Sequence, residues 1–293
     1  MISIIIVNYF QKDLLQNCLS SVYSKIHSYP FEVIVINNSA EEDISFPGNL
    51  FPDIKIIVNG NYGLANGNNL GVTYSSGEYL LFLNPDTELK TDPLYKLIPE
   101  FEKTNFGAAG LKLYNADGSF QLSFGSDPDF NGETRNRQDR DKFSEKDMDH
   151  ILEKEYSYGS VRFVDWVSST AFFIRKEVLQ KAGGWNDKFI LFYEDADLCR
   201  RLRDSGYPVF FFPFTKIVHF RTSVRSKKQK AFIRYNQKRS QLLYFIYHLD
   251  RSKIFLLRAY TGVKYFLLFM ISMRPVFYRM FKLAFISKAK LQK

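Results

Sequence analysis

Glu78-Tyr79-Leu80-Leu81-Phe82-Leu83-Asn84-Pro85-Asp86 is the stretch from which the fold is read. Five apolar side chains in succession suit a strand buried on both faces, and the run halts at an asparagine, a proline and a carboxylate. A strand of this kind belongs in an open α/β sheet, whose carboxyl ends line the ligand crevice. Asp86 is therefore aimed at whatever binds there. A second acidic cluster, Glu194-Asp195-Ala196-Asp197, lies about a hundred residues on, and His219 follows the next strand-like run, Val209–Phe212.

The pattern repeats on either side of that strand. Ile2–Val7 and Glu32–Ile36 are continuous apolar runs, with Leu14, Leu15, Cys18, Leu19 and Val22 at helical spacing between them. Ile54–Val58 reads as a strand, Leu64–Tyr74 as a Gly/Asn-rich helix, and Thr91-Asp92-Pro93 as the cap of a helix through Phe101. Gly107–Leu113 reads as another strand. Strands alternating with helices predict a three-layer α/β/α domain around a mostly parallel, mixed sheet. From Ser126 to about Ser160 the apolar pattern gives way to a polar stretch, expected to be a long loop or lid. Order is expected to resume with Val161–Ile174, a helix near Lys176–Ala182 and a helix over Asp197–Asp204.

The chain has 293 residues, 45% hydrophobic and 24% charged, and a net charge of +9 that is unevenly spread. From Lys216 onward nineteen Lys and Arg face one acid, Asp250, so residues 1–215 are net acidic. Basic positions in 227–249 interleave with Phe232, Ile233, Tyr235, Leu242, Leu243, Phe245 and Ile246. Ile254–Met273 is apolar but broken by Arg258 and Lys264, and its longest uncharged run falls short of the roughly 20 residues that span a bilayer. This composition predicts basic amphipathic helices lying on an anionic membrane surface. A cationic helical subdomain packed on the sheet is the plainer reading. Nucleic-acid binding is disfavoured, because the aromatic residues come with long aliphatic runs.

Two cysteines, Cys18 and Cys199, exclude a disulfide framework and read as buried thiols. Ile2–Val7 at the start is expected to be a strand rather than a signal peptide. His27, His150 and His248 have no chemical company and read as structural or surface residues.

Several polar groups sit where strands end. Asn8-Tyr9 closes the first strand and Asn37-Asn38-Ser39 the second, so Tyr9 is placed to pack on a base and Asn37 to bond its edge. Asn61-Tyr62-Gly63-Leu64-Ala65-Asn66-Gly67-Asn68-Asn69-Leu70-Gly71 offers close backbone approach and helix-start N–H groups to a phosphate. It matches neither the P-loop nor the dinucleotide fingerprint, which argues against ATPase and NAD chemistry. Asp86 suits Mg²⁺ or Mn²⁺, hard cations that take carboxylate and phosphate oxygens. An acid in the 194–197 cluster is placed to accept the proton of an attacking hydroxyl.

In this order and spacing, Ser3–Tyr9, Val35–Ser39, Asn61–Gly71, Leu83–Asp86, Val164-Asp165-Trp166-Val167-Ser168, Gly183-Gly184-Trp185 and Tyr193–Cys199 resemble the family 2 glycosyltransferases of the GT-A fold, within them the bacterial rhamnosyltransferase-like branch. The likeness runs from Ile2 to about Ser223. It implies a catalytic domain over 1–223, with a nucleotide-sugar-binding half (1–115) and an acceptor half (160–223), and a membrane-associating tail over 224–293. It also implies inverting transfer of a sugar from a nucleotide donor, dTDP-rhamnose or a UDP-hexose, UDP-N-acetylhexosamine or UDP-galactofuranose. The acceptor would be a glycan such as O-antigen or capsule on a polyprenyl-diphosphate lipid, at the cytoplasmic face of the cell membrane.

By the same resemblance Asp195 is the general base with Glu194 beside the acceptor. Asp86 and His219 hold Mg²⁺ or Mn²⁺, and Val7, Tyr9, Asn37, Asn61, Gly63, Asn68, Asn84 and Asp86 contact the nucleotide-sugar. Trp166 and Trp185 fall on the acceptor side. Three positions depart from the family's pattern: Asn37 stands where Asp is usual, Ser169 replaces a glycine, and Phe220-Arg221-Thr222-Ser223 lacks one.

Overall fold

The structure is a computed structural model that describes residues 1–46, 50–51, 53–104, 106–221 and 226–291, less the side chain of 289. In chain order the elements are β1 (Ile2–Asn8), α1 (Lys12–Lys25), β2 (Phe31–Asn37), β3 (Lys55–Val58), α2 (Leu64–Tyr74), β4 (Tyr79–Leu83), β5 (Thr87–Leu89), α3 (Leu94–Lys103) and β6 (Ala108–Tyr114). There follow β7 (Phe120–Gln121), β8 (Phe124–Gly125), α4 (Phe130–Ser144), α5 (Met148–Ser157), β9 (Arg162–Phe163), β10 (Trp166–Val167) and β11 (Ala171–Arg175). The remainder is α6 (Lys176–Lys181), α7 (Glu194–Asp204), β12 (Val209–His219), α8 (Lys227–His248), α9 (Arg251–Ser272), α10 (Pro275–Leu283) and α11 (Lys288–Leu291).

The main sheet has the order β3-β2-β1-β4-β11-β6-β12-β5. The first four strands are parallel, as are β6 and β12, whereas β11 runs antiparallel to β4 and β6, and β5 antiparallel to β12. Alternation on β1 explains the layers. Ile2, Ile4 and Ile6 face a core shared with α1 and α3, while Ile5 and Val7 face a second core with α2, α6 and α7. Helices thus cover both faces of a mixed, mostly parallel sheet, as the apolar runs predicted. The two halves read from the sequence share this one sheet, since β11 lies between β4 and β6.

Four expectations change. The stretch 126–160 is not a loop: it holds α4 and α5, capped by Asp129, which accepts from Gly132 N, and Asp147, which accepts from His150 N. The signal was hidden because α4 buries only Gly132 and Asn136. Caps and non-local packing of Phe143 and Ile151 on the second core hold this pair, not an amphipathic stripe. Val161–Ile174 is three short strands, broken at Ser168-Ser169-Thr170. The strand beginning at Val209 runs all the way to His219, with an irregularity between Phe212 and Ile217.

The fourth change concerns the tail. α9 is one 22-residue helix with mean hydropathy 1.6, long and apolar enough by length and composition to cross a membrane, although Arg258 and Lys264 interrupt it. Only 22% of that apolar window is buried. α8 packs Leu242, Leu243, Tyr244 and Phe245 in a third core with Phe189 and Ala196, so the basic tail is docked on the α7 side of the sheet. The expected domain boundary at Ser223 lies outside the described residues.

Candidate active site

The carboxyl edge of the sheet gathers the polar residues. β11 runs antiparallel to β4 with Ala171 opposite Leu83, so the 168–170 turn lies against the Asn84-Pro85-Asp86 turn. Asn84 N donates to Thr170 O (2.9 Å) and its side-chain amide to Thr170 Oγ1 (3.4 Å). On the far side of that turn Ser169 N donates to Asp195 Oδ2 (3.4 Å). Thr170 and Ser169 of that turn therefore join the Asn84-Pro85-Asp86 turn, through Asn84, to Asp195.

Asp86 is 5% exposed and its carbonyl accepts from Phe220 N (2.9 Å). β12 delivers His219 beside it, with Nε2 3.1 Å from Asp86 Oδ1. Gln121, from β7, turns its amide oxygen to Arg221 Nε (2.6 Å), Arg221 Nη2 (2.8 Å) and His219 Nδ1 (2.9 Å). That oxygen puts the ring proton on Nδ1 and leaves Nε2 a lone-pair acceptor facing a carboxylate oxygen. Two acceptors at 3.1 Å call for a cation between them, a proton or a metal ion. The donor set, one carboxylate and one imidazole oriented from behind by a hydrogen bond, fits a divalent ion whose other ligands come from a diphosphate. Sequence reading missed Gln121, which lies 98 residues from its partner. Arg221, whose φ is +48°, brings a cation to the same corner.

The acidic cluster starts α7. Phe192 (φ +64°) and Tyr193 (φ +67°) are both left-handed, a costly turn for two bulky residues that aims the first helical turn into the site. Asp195 Oδ1 accepts from Ala196 N (2.8 Å). Burial pushes Asp195 up to about 6. Burial, then the charge of Asp195, pushes Glu194 up to about 8. Burial raises both acids and the charge of Asp195 raises Glu194 further, so the pair holds a proton more readily than two exposed carboxylates would. Glu194 Oε2 has no partner among the described residues. The third acid is structural: Asp197, 1% exposed, pairs with Arg201 (2.7 Å) and His248 Nε2 (2.7 Å) and ties α7 to the end of α8.

Tyr9 (49% exposed), Tyr62 and Asn61 are open to solvent at the edge beyond β1 and before α2, whereas Asn68 is buried. Gly63 has φ +93°, and a Cβ there would stand 3.0 Å from Ile190 O. Gly67 is packed under Val7, so Val7 lends its side chain to packing. Asn37 corrects its expectation. It is 2% exposed, and its amide oxygen accepts from Asn8 (3.2 Å), Ser39 N (3.1 Å) and Ser39 Oγ (2.8 Å) while its nitrogen donates to Glu42 O (3.1 Å). It shapes the loop after β2 instead of offering a free edge. Asn38, which the sequence placed at the end of β2 without a role of its own, donates to Gly63 O (3.2 Å) and fixes the glycine loop.

Trp185 is likewise a core residue, 2% exposed, its ring edge-on to Phe82 (5.2 Å) and Phe172 (5.2 Å). Asn69 clamps it through both backbone groups, donating to Trp185 O (2.7 Å) and accepting from Trp185 N (2.9 Å). It underlies the site and presents no face to an acceptor. Trp166 is half-buried and donates to Ser126 O (2.8 Å). Cys18 and Cys199 are buried, free thiols.

The model of the glycosyl transferase family 2 matches residues 3–156. The chain is 28% identical over 207 residues to the low-salt glycan biosynthesis hexosyltransferase Agl10 of Haloferax volcanii, covering 69% of this chain and 61% of that one. It is 25% identical over 231 residues to the rhamnosyltransferase WbbL of Escherichia coli, covering 75% and 83%. Among solved structures, GalNAc-T7 with UDP, GalNAc and Mn²⁺ superposes with a TM-score of 0.61 at 14% identity over 90% of this chain and 50% of that chain. The mannosyltransferase PcManGT of Pyrobaculum calidifontis, with GDP-Man and Mn²⁺, gives 0.53 at 14% identity over 96% and 69%. At these identities the structural likeness shows the fold alone, which is GT-A. With more than half of its length matched, the chain belongs to the glycosyl transferase family 2.

Proposed function

We propose that this chain is an inverting, divalent-metal-dependent glycosyltransferase that moves L-rhamnose from dTDP-rhamnose to a hydroxyl of a growing, lipid-linked cell-surface polysaccharide. The observation that carries this reading is the Asp86–His219 pair, joined through the 168–170 turn to Asp195. In the proposed roles Asp86 and His219 hold Mg²⁺ or Mn²⁺, and the ion when bound neutralises charge on the diphosphate leaving group. Tyr9, Asn61, Gly63 and Asn68 surround the nucleotide, and Asn84 lies against the sugar. Asp195, ionised above about pH 6, takes the proton of the acceptor hydroxyl as its oxygen attacks the anomeric carbon from the side opposite the diphosphate. Glu194, neutral until about pH 8, donates a hydrogen bond on the acceptor side.

Rhamnose as the donor sugar follows the likeness to WbbL, and the surface polysaccharide the likeness to the O-antigen biosynthesis protein RfbC of Myxococcus xanthus. A UDP-hexose, UDP-N-acetylhexosamine or UDP-galactofuranose donor is the second reading within the same chemistry. The exposed apolar side of α9 (Phe255 at 70%, Val263 at 63%, Ile271 at 83%), among many basic residues, supports a helix lying on the anionic cytoplasmic leaflet as a peripheral anchor.

A thermal-shift panel of dTDP- and UDP-sugars with Mn²⁺ tests the proposal, since a tight donor raises apparent stability by mass action. dTDP-rhamnose is expected to give the largest shift and to lose it in EDTA. A larger shift with a UDP-sugar replaces rhamnose with that donor, and no shift with any nucleotide overturns the reading.

A further inference from the structure

Behind Tyr193, where α4, α8, α9 and α10 meet, lies a cavity of about 430 Å³. One wall is cationic: Arg140 from α4, Arg234 and Lys238 from α8, and Lys264 from α9. Among the described residues the only carboxylate lining it is Glu133, which sits 3.6 Å from Arg140 and also accepts a short hydrogen bond from the Tyr193 hydroxyl. Four cations therefore face one acid that is already shared. The lining also has an apolar part, Leu268 from α9, one turn beyond Lys264, with Phe277 and Met280 from α10.

Such an arrangement is unfavourable in itself. Lys238 and Lys264 each lie over the rings of Tyr260 and Tyr265, 5.3–5.9 Å from the ring centres, contacts that attract a cation but supply no counter-charge. Burial and the neighbouring Lys264 push Lys238 down to about 8. Desolvating an ammonium beside a second one costs stability unless an anion compensates. Apolar side chains lining the same cavity beside the cations narrow the choice of anion to an amphiphile. The volume is in the range of small-molecule sites, roughly 300–1,000 Å³. Tyr193, which lines the cavity, immediately precedes Glu194 and Asp195 at the start of α7, so one stretch of chain connects the cavity to the acidic cluster.

We propose that this cavity binds the diphosphate of the lipid-linked acceptor, with Arg234, Lys238 and Lys264 on the phosphates and Leu268, Phe277 and Met280 against the first part of the lipid chain. The inference rests on the glycosyltransferase reading for its orientation: the sugar on the diphosphate points past Tyr193 to Asp195, and the lipid leaves toward the exposed side of α9. It adds a reason for the basic tail beyond general attraction to anionic leaflets, because guanidinium and ammonium groups in fixed positions select a diphosphate by charge-assisted hydrogen bonds.

The test is calorimetric titration of the full chain in non-ionic detergent and EDTA with farnesyl diphosphate, a short polyprenyl diphosphate. Removing divalent ions keeps the probe's diphosphate from the metal-dependent donor site. Lys264→Met and Arg234→Gln, both exposed at the cavity mouth, are each expected to weaken binding about tenfold, and Lys264→Arg to restore it. Farnesol is expected not to bind measurably, and inorganic pyrophosphate to compete. UDP titrated with Mn²⁺ runs in parallel and is expected to be unchanged in the variants. If UDP binds and the variants leave farnesyl diphosphate affinity unaltered, the cavity proposal is overturned while the donor site stands. Displacement of the probe by phosphatidylglycerol vesicles as effective as by pyrophosphate overturns it in favour of a headgroup site. Loss of UDP binding in the wild-type chain itself brings down the functional reading on which the orientation depends.

Discussion

Replacing Asp195 by asparagine should make the protein more stable and nearly inactive, and the two effects should part company with pH. Asp195 is pushed from an ordinary 3.8 to about 6 by burial, so the folded state holds its proton more tightly than the unfolded chain. A raised carboxylate disfavours the fold when it is ionised. The penalty is absent below about pH 4, develops between the unfolded and folded values, and is complete above about pH 6. Two units correspond to somewhat under 3 kcal/mol at 1.36 kcal/mol per unit, and partial exposure reduces this to about 2 kcal/mol. Asparagine keeps an oxygen for Ala196 N, gives up only the long acceptor for Ser169 N (3.4 Å) and carries no charge, so Asp195→Asn should gain up to about 2 kcal/mol in denaturant unfolding at pH 7.5 and close to nothing at pH 3. Loss of a general base typically costs 10²–10⁴ in rate, read by nucleotide release in the presence of acceptor. In the wild type, turnover should fall about tenfold per pH unit below 6. A variant that keeps its activity, or that is destabilised at pH 7.5, would refute the argument that burial tunes this acid for catalysis.

Two further predictions concern the metal corner and the tail. His219→Ala should weaken Mn²⁺-dependent UDP binding at least tenfold in calorimetry, and Gln121→Leu, which removes the acceptor behind Nδ1, should cost 10–100-fold while leaving metal-free binding alone. Equal affinities in wild type and His219→Ala would remove the histidine from the metal shell. Exchanging Phe255, Val263 and Ile271 on α9 for serine should abolish sedimentation with anionic liposomes at 0.15 M salt without changing the UDP titration; sedimentation that survives would place membrane contact elsewhere.

Much of this architecture was legible locally. Buried strands of a parallel sheet read as unbroken apolar runs, so β1, β2 and β4 stand out, and α2 has the predicted limits Leu64–Tyr74. Asp86, Asp195 and His219 could be singled out because each follows or ends such a run. α4 and α5 could not, since their signal is two capping aspartates and a few non-local contacts in a polar stretch. Trp185 and Asn37 were misjudged because residue type marks the capacity to bind a ligand and not whether it is already used: Trp185 is held by Asn69, 116 positions away, and Asn37 by its own loop at Ser39 and Glu42 together with Asn8, 29 positions back.

By itself, then, the sequence determined the three-layer α/β order, the edge of the sheet where chemistry gathers, and the acids and histidine set along it. These are properties of contiguous residues, carried by periodicity and by what terminates a strand. Only the tertiary structure decided that Gln121 orients His219, that burial raises both Glu194 and Asp195, that Asp197 is structural, and that Arg140, Arg234, Lys238 and Lys264 from three helices line one cavity. Desolvation and convergence of distant side chains are set by packing in space, which no local pattern of residues encodes.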